Sequence, residues 1–148
     1  MSCQQYELYA AEECFEHDRP VEDLQGFVDA MREHDWWDRN FPNVLGIEAH
    51  VDGRRASSVG FFDDAARGGL IDMAPKHVTE LFTCHEVAHV LASARYGSKS
   101  HDPYFARTYL ELVCTVMGSA AYVELRAAFD QARIDYEHES YVPGGIQV

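Results

Sequence analysis

Residues 77–96 form a helical segment whose apolar side chains share one side, with His85-Glu86-Val87-Ala88-His89 in its middle. Residues four apart lie one turn above each other on a helix, so the imidazoles of His85 and His89 point the same way. Two histidines and a glutamate on a half-buried face are costly unless something pairs them. The segment therefore predicts a helix that ends at Gly97 and holds a metal ion through its two histidines. The alternative is a surface helix that carries these histidines by coincidence.

Glu86 lies next to the histidine face, where its carboxylate can act on a water molecule at the metal without being a ligand. Zinc lowers the pKa of such a water towards about 7, and a neighbouring carboxylate can then remove its proton. We therefore predict Zn²⁺ as the cofactor and Glu86 as the general base. No nucleophile elbow, phosphate-binding loop or dinucleotide fingerprint competes with this interpretation.

A catalytic zinc needs a third protein ligand and one open position. His101 is the predicted third ligand, because it follows His89 by 12 positions and stands just before the helix start at Pro103. It could instead be a solvated loop histidine or a helix cap. Glu111 in the following helix is the rival ligand, and it could also face solvent or accept a hydrogen bond. Asp102 is a weaker rival, expected to cap the helix that follows it.

The remaining segments predict an α+β fold with a small three- to four-stranded mixed sheet packed on the motif helix, in one domain over residues 1–148. Residues 4–15 are interpreted as a strand, and a helix is expected from Pro20 to Trp37. Three short apolar segments between Asn43 and Pro75 predict three strands. Helices are then predicted at 77–96, from Phe105 to Met117 and at about 119–136, and the tail 141–148 is expected to be irregular. The tryptophans are expected to be core anchors.

Charge and cysteine content limit the partners and the compartment. The chain has 25 acidic and 12 basic residues, a net charge of −13, which repels nucleic-acid backbones and anionic membranes. Neither a signal peptide nor a membrane span is visible, so a cytoplasmic location is expected. The four scattered cysteines are predicted to stay reduced, with Cys84 and Cys114 as small buried hydrophobes.

The segment HEVAHVLA, followed by HDPYF and YLELV, resembles the SprT-like branch of the zincin metallopeptidases. It is also similar to small stand-alone metallohydrolases that carry HELAH followed by HGPxF. The specific match covers residues 78–113. This resemblance implies a zincin-like fold, zinc ligands at His85, His89 and His101, and Glu86 as general base. Asp102 stands where the pattern usually has glycine.

We thus predict a zinc-dependent metallopeptidase that acts on a protein or peptide substrate. Residues 69–74 are the expected edge strand for an extended peptide, an ordinary buried strand being the alternative. Tyr104 and Tyr109 are candidate donors to an oxyanion, although Tyr109 also suits the core. Two other functions stay open: a non-catalytic module in which zinc staples two helices and the acidic surface binds a basic partner, and a hydrolase of a small non-peptide amide.

Overall fold

A computed structural model describes residues 3–136, with side chains from residue 7 onward. Over this range the chain is an α+β fold with six α-helices and one small mixed sheet. In chain order the elements are α1 (Cys3–Glu13), α2 (Leu24–Arg32), α3 (Asp35–Asn40), β1 (Ile47–Val51), β2 (Val59–Asp63), β3 (Gly68–Met73), a 3₁₀ turn (Pro75–His77), α4 (Glu80–Tyr96), α5 (Pro103–Met117) and α6 (Ser119–Ala132). The predicted irregular tail lies outside the described residues.

The three predicted strands are confirmed, and they form a sheet in the order β1-β3-β2. β1 pairs parallel to β3, with Ile47 opposite Gly69, and β2 pairs antiparallel to β3, with Phe61 opposite Leu70. β3 therefore bonds to a strand on each side and has no free edge. The prediction that residues 69–74 form the edge strand is wrong for this reason, and β2 is the edge strand that lies against α4.

Two glycines allow the sheet to approach α4 closely. A Cβ atom on Gly60 of β2 would lie 2.5 Å from the carbonyl oxygen of Glu86, closer than real Cβ contacts. A Cβ atom on Gly69 of β3 would lie 2.3 Å from a methyl carbon of Val90. Because glycine has no side chain, β2 can lie directly beside the turn of α4 that carries Glu86.

Residues 4–15 were predicted as a strand, but Cys3–Glu13 is the helix α1. Leu8 and Glu12 are buried positions of α1, and Phe15 is buried just beyond its end; the intervals of four and three are helical spacing and not the alternation of a strand. α1 buries this side against the rest of the molecule, including α6. Few β-forming residues are present in the segment, so tertiary packing decides its conformation.

The helix predicted from Pro20 to Trp37 is instead two shorter helices. Pro20 forms an isolated bridge to Thr79, and α2 starts only after Asp23, whose carboxylate accepts a hydrogen bond from the Gly26 amide at 3.0 Å. α3 follows after a break at His34. Trp37 lies in α3 as a fully buried core anchor, which confirms its expected role.

The helices predicted after the sheet are confirmed as α4, α5 and α6, and α4 ends at Gly97 in the left-handed conformation (φ 69°). Cys84 is buried in α4, as predicted. Cys114 is exposed, contrary to its prediction, because it falls just outside the stripe of α5 that Leu112 and Val113 bury in the core. Among residues 3–136, no helix combines the length and apolarity needed to cross a lipid bilayer.

Candidate metal centre

The structure brings the three predicted histidines together. His85 and His89 come from successive turns of α4, and His101 comes from the loop that leads into α5. The Nε2 atom of His101 lies 3.2 Å from Nε2 of His85 and 3.0 Å from Nε2 of His89. One ring nitrogen from each residue lies within 4.8 Å of the others, so this cluster can hold a metal ion.

The loop that presents His101 is fixed at both ends. Gly97 ends α4 and turns the chain back. Asp102 caps α5 by accepting a hydrogen bond from the Phe105 amide at 2.9 Å, and the Ser98 hydroxyl donates to the same carboxylate oxygen at 2.8 Å. Asp102 is therefore the predicted helix cap and stands outside the histidine cluster. Phe105 packs against the His101 ring, with 4.9 Å between ring centroids.

The spacing and charge state of the histidines fit a metal ion. Nitrogen ligands at about 2.0–2.1 Å from a tetrahedral ion lie about 3.3 Å from one another, close to the separations seen here. Burial, together with the charge of His85, lowers the pKa of His89 to about 2 and the pKa of His101 to about 4. Both rings are thus neutral near pH 7, and a neutral imidazole is the form that binds zinc, copper, iron or nickel.

Glu86 lies beside the cluster and is not one of its three candidate metal ligands, which are all histidines. Its carboxylate oxygen Oε2 is 3.9 Å from Nε2 of His85, and the residue is buried. Burial raises the pKa of the Glu86 carboxyl, although the neighbouring His85 charge opposes this rise. A carboxylate with a raised pKa binds a proton more readily than an exposed glutamate, which suits a group that takes and returns protons.

The rival ligand Glu111 does not join the histidines. Its carboxylate accepts hydrogen bonds from the Trp36 indole at 3.0 Å and from Arg107 one turn earlier at 3.1 Å. Of the two tyrosines predicted as oxyanion donors, Tyr109 has its hydroxyl engaged elsewhere. Tyr109 donates its hydroxyl proton to a buried carboxylate at 2.7 Å, and the Tyr104 ring stacks on Tyr96.

That buried carboxylate belongs to Glu12, a residue that the sequence analysis missed. Glu12 is 4 % exposed, and its Oε2 atom lies 2.5 Å from Nδ1 of His85. The contact joins α1 to α4 across 73 positions in the chain. The only signal for it in the sequence is a glutamate at helical spacing from Leu8 and Phe15, which the strand interpretation of residues 4–15 concealed.

Two cavities with different lining residues reach the histidines. The larger, about 530 Å³, is lined by His85, Glu86 and His101 together with α1, the 56–58 loop and the turn at Lys76-His77. The smaller, about 190 Å³, is lined by His89, part of β2 and the loop at Ser98-Lys99. The histidine cluster is therefore accessible from both cavities.

His77 lines the larger cavity with an ordered hydrogen-bond network. It lies just before α4, whose N-cap is Thr79. The Ser58 hydroxyl oxygen accepts the Ala74 amide proton at 2.8 Å and lies 2.9 Å from Nδ1 of His77. The Ser58 hydroxyl can then donate its proton to Nδ1 of His77. In that tautomer Nε2 carries the ring proton and can donate it to a molecule in the cavity.

Metal binding is expected to release about one proton per ion near neutral pH. Burial alone would lower the pKa of His85, but the charges of Glu12 and Glu86 and the Glu12 hydrogen bond raise it to about 9. His85 is thus protonated below that pH, and the metal must displace its proton. The apparent Zn²⁺ affinity should therefore rise about tenfold per pH unit from pH 6 to 8 and level off above the His85 pKa. Calorimetry in buffers of different ionisation enthalpy measures the release, and a release of zero would contradict the expectation.

The centre combines three convergent imidazole nitrogens, a buried carboxylate beside them and access from two cavities. Comparison with protein-family models, with curated proteins and with solved structures finds no match for this chain. What this centre does must therefore be inferred from its own side chains.

Proposed function

We propose that this chain is a zinc-dependent metallopeptidase with a zincin-like centre. The observation that supports this proposal best is the convergence of the His85, His89 and His101 Nε2 atoms beside buried Glu86, at the floor of an open cavity. Three imidazole ligands leave the fourth tetrahedral position of zinc for water or substrate. A purely structural zinc has no need of an open position or of a glutamate buried beside it.

In the proposed reaction, the protein residues orient the substrate and move one proton. Zinc, when bound, supplies a positive charge that acidifies water and polarises the substrate carbonyl. Glu86 takes the proton of the attacking water and returns it to the amine that leaves as the C–N bond breaks. Glu86 is buried, which limits the exchange of that proton with bulk solvent between the two steps.

We assign the hydrogen bond to the developing oxyanion to His77. Its Nε2–H is the donor left after Ser58 binds Nδ1, and it lines the same cavity as Glu86. Burial and the neighbouring Lys76 lower the pKa of His77, which keeps the ring neutral near pH 7. A fixed donor of this kind stabilises charge that develops on the carbonyl oxygen.

The edge strand β2 favours a peptide over a small amide as the substrate. β2 runs beside the Glu86 turn of α4 and contributes Gly60, Phe61 and Phe62 to the smaller cavity. An extended peptide can pair with an edge strand through main-chain hydrogen bonds that tolerate many sequences. β2 therefore takes the role expected of residues 69–74, and the two cavities accommodate side chains on both sides of the scissile bond.

The proposal is tested by zinc content and by hydrolysis together. We expect one zinc per chain, and hydrolysis of fluorescein-labelled casein that stops with 1,10-phenanthroline and returns with added Zn²⁺. X-ray absorption spectroscopy at the zinc edge should show three nitrogen ligands and one further oxygen ligand. Four protein ligands without hydrolysis would indicate the non-catalytic module instead. Hydrolysis of a panel of small acyl amides without hydrolysis of casein or a peptide library would indicate the small-amide hydrolase.

A further inference from the structure

We propose that Glu12 is a positioning residue of the metal centre, which holds the His85 ring in the tautomer and orientation that bind the metal. This inference rests on the proposed function, because it takes His85 as a metal ligand. It makes the N-terminal helix α1 part of a centre whose other groups come from α4 and the loop before α5.

The hydrogen bonds at Glu12 define which nitrogen of His85 carries the proton. An ionised carboxylate accepts hydrogen bonds but cannot donate them. Oε2 of Glu12, 2.5 Å from Nδ1 of His85, therefore holds the Nδ1–H, and Nε2 is the nitrogen whose proton a metal displaces. Nε2 is the atom that converges with His101 at 3.2 Å, so Nδ1 faces the carboxylate and Nε2 faces the metal position.

The surroundings of Glu12 show that this carboxylate is held in place. The same Oε2 atom accepts the Tyr109 hydroxyl proton at 2.7 Å, so α5 clamps Glu12 from a second direction. The Tyr109 and Phe105 rings meet the His85 ring edge-on, at centroid distances of 5.3 and 5.1 Å. A buried carboxylate is costly unless it is paired, and a partner of this kind typically changes metal affinity by about 10–100-fold.

The arrangement also links the position of α1 to the metal. Leu8, Tyr9 and Glu12 of α1 all line the larger cavity, and Glu12 also contacts His85. Any displacement of α1 removes the hydrogen bond to His85 and a wall of the cavity at once. If docking of α1 strengthens metal binding by a given free energy, metal binding must stabilise the docked position of α1 by the same amount.

The test compares Glu12→Gln with Glu13→Gln, a neighbouring glutamate that is exposed on α1. Competition with a chromophoric chelator measures Zn²⁺ affinity, and visible absorption of the Co²⁺-loaded protein reports ligand geometry. We expect Glu12→Gln to bind Zn²⁺ about 10–100-fold more weakly and to shift the Co²⁺ bands, and Glu13→Gln to match the wild type. Tyr109→Phe removes the hydroxyl that donates a hydrogen bond to Glu12 but keeps the Glu12–His85 contact, so its Co²⁺ bands should stay in place while its unfolding midpoint falls.

Equal Zn²⁺ affinities and equal Co²⁺ spectra for Glu12→Gln and the wild type would overturn the inference and leave the proposed function standing. Failure of the wild type to bind any metal would overturn the proposed function itself. A second measurement does not depend on the folding of a variant. In the zinc-loaded wild-type protein, ¹⁵N NMR of the His85 ring should show a protonated Nδ1 and a metal-bound Nε2, and the opposite assignment would exclude the role of Glu12.

Discussion

Glu86→Gln is expected to lower the hydrolysis of casein at least about 100-fold while zinc stays bound at wild-type stoichiometry. Glutamine keeps the shape of the side chain but cannot take a proton from water. Glu86 is not one of the three histidines that could bind the metal, and its Oε2 atom lies 3.9 Å from Nε2 of His85. The loss should therefore fall on kcat, because the metal and both cavities remain.

The matched control is Glu80→Gln, which changes a glutamate in the first turn of the same helix α4. It removes a favourable charge from the helix N-terminus, a small effect on stability, and should leave kcat unchanged. Casein hydrolysis is measured at equal zinc content, established by elemental analysis. A Glu86→Gln protein that hydrolyses casein at the wild-type rate would remove Glu86 from the reaction. Loss of zinc from that variant would instead make Glu86 a ligand.

The elements nearest the site could be predicted because their signals are local. His85 and His89 share a face of α4 through the geometry of a single helix, and Gly97 marks its end by a conformation that glycine adopts easily. His101 could be placed because a short loop and a helix start leave few positions for it. All of these inferences involve residues within 16 positions of one another.

The order of strands in the sheet could not be predicted in the same way. Alternation and turns locate three strands, but they do not show which two strands share a partner. In the structure β3 is the shared partner, parallel to β1 with Ile47 opposite Gly69 and antiparallel to β2. The close approach of Gly60 and Gly69 to α4 then decides which edge faces the site. These are consequences of packing across the whole fold.

Glu12 shows most clearly why part of the site is hidden from the sequence. A glutamate in an exposed helix and a glutamate buried against a histidine have the same local pattern. Only the docking of α1 beside α4 and α5 distinguishes them, and the partner Tyr109 lies 97 positions away. The misassigned strand at residues 4–15 also removed the helical spacing that would have grouped Glu12 with Leu8 and Phe15.

His101→Ala is expected to weaken Zn²⁺ binding at least about 100-fold, more than the loss of a residue that only supports a ligand. The substitution removes one of the three converging nitrogens and leaves the pair on α4, which is too few ligands to hold zinc firmly. Hydrolysis at limiting zinc should fall in parallel. His50→Ala is the matched control, since it removes an exposed imidazole from β1 and should leave Zn²⁺ affinity unchanged.

Glu111→Gln separates His101 from its rival as the third ligand. Glu111 is occupied by Trp36 and Arg107 at 3.0 and 3.1 Å, so its replacement should change folding stability slightly and Zn²⁺ affinity not at all. Circular dichroism confirms that each variant is folded before chelator competition compares the affinities. If Glu111→Gln abolishes zinc binding and His101→Ala does not, Glu111 is the third ligand. The ligand that the resemblance to the SprT-like pattern implies at His101 is then wrong. If neither change affects zinc, only His85 and His89 are established as ligands, and the catalytic proposal loses its main support.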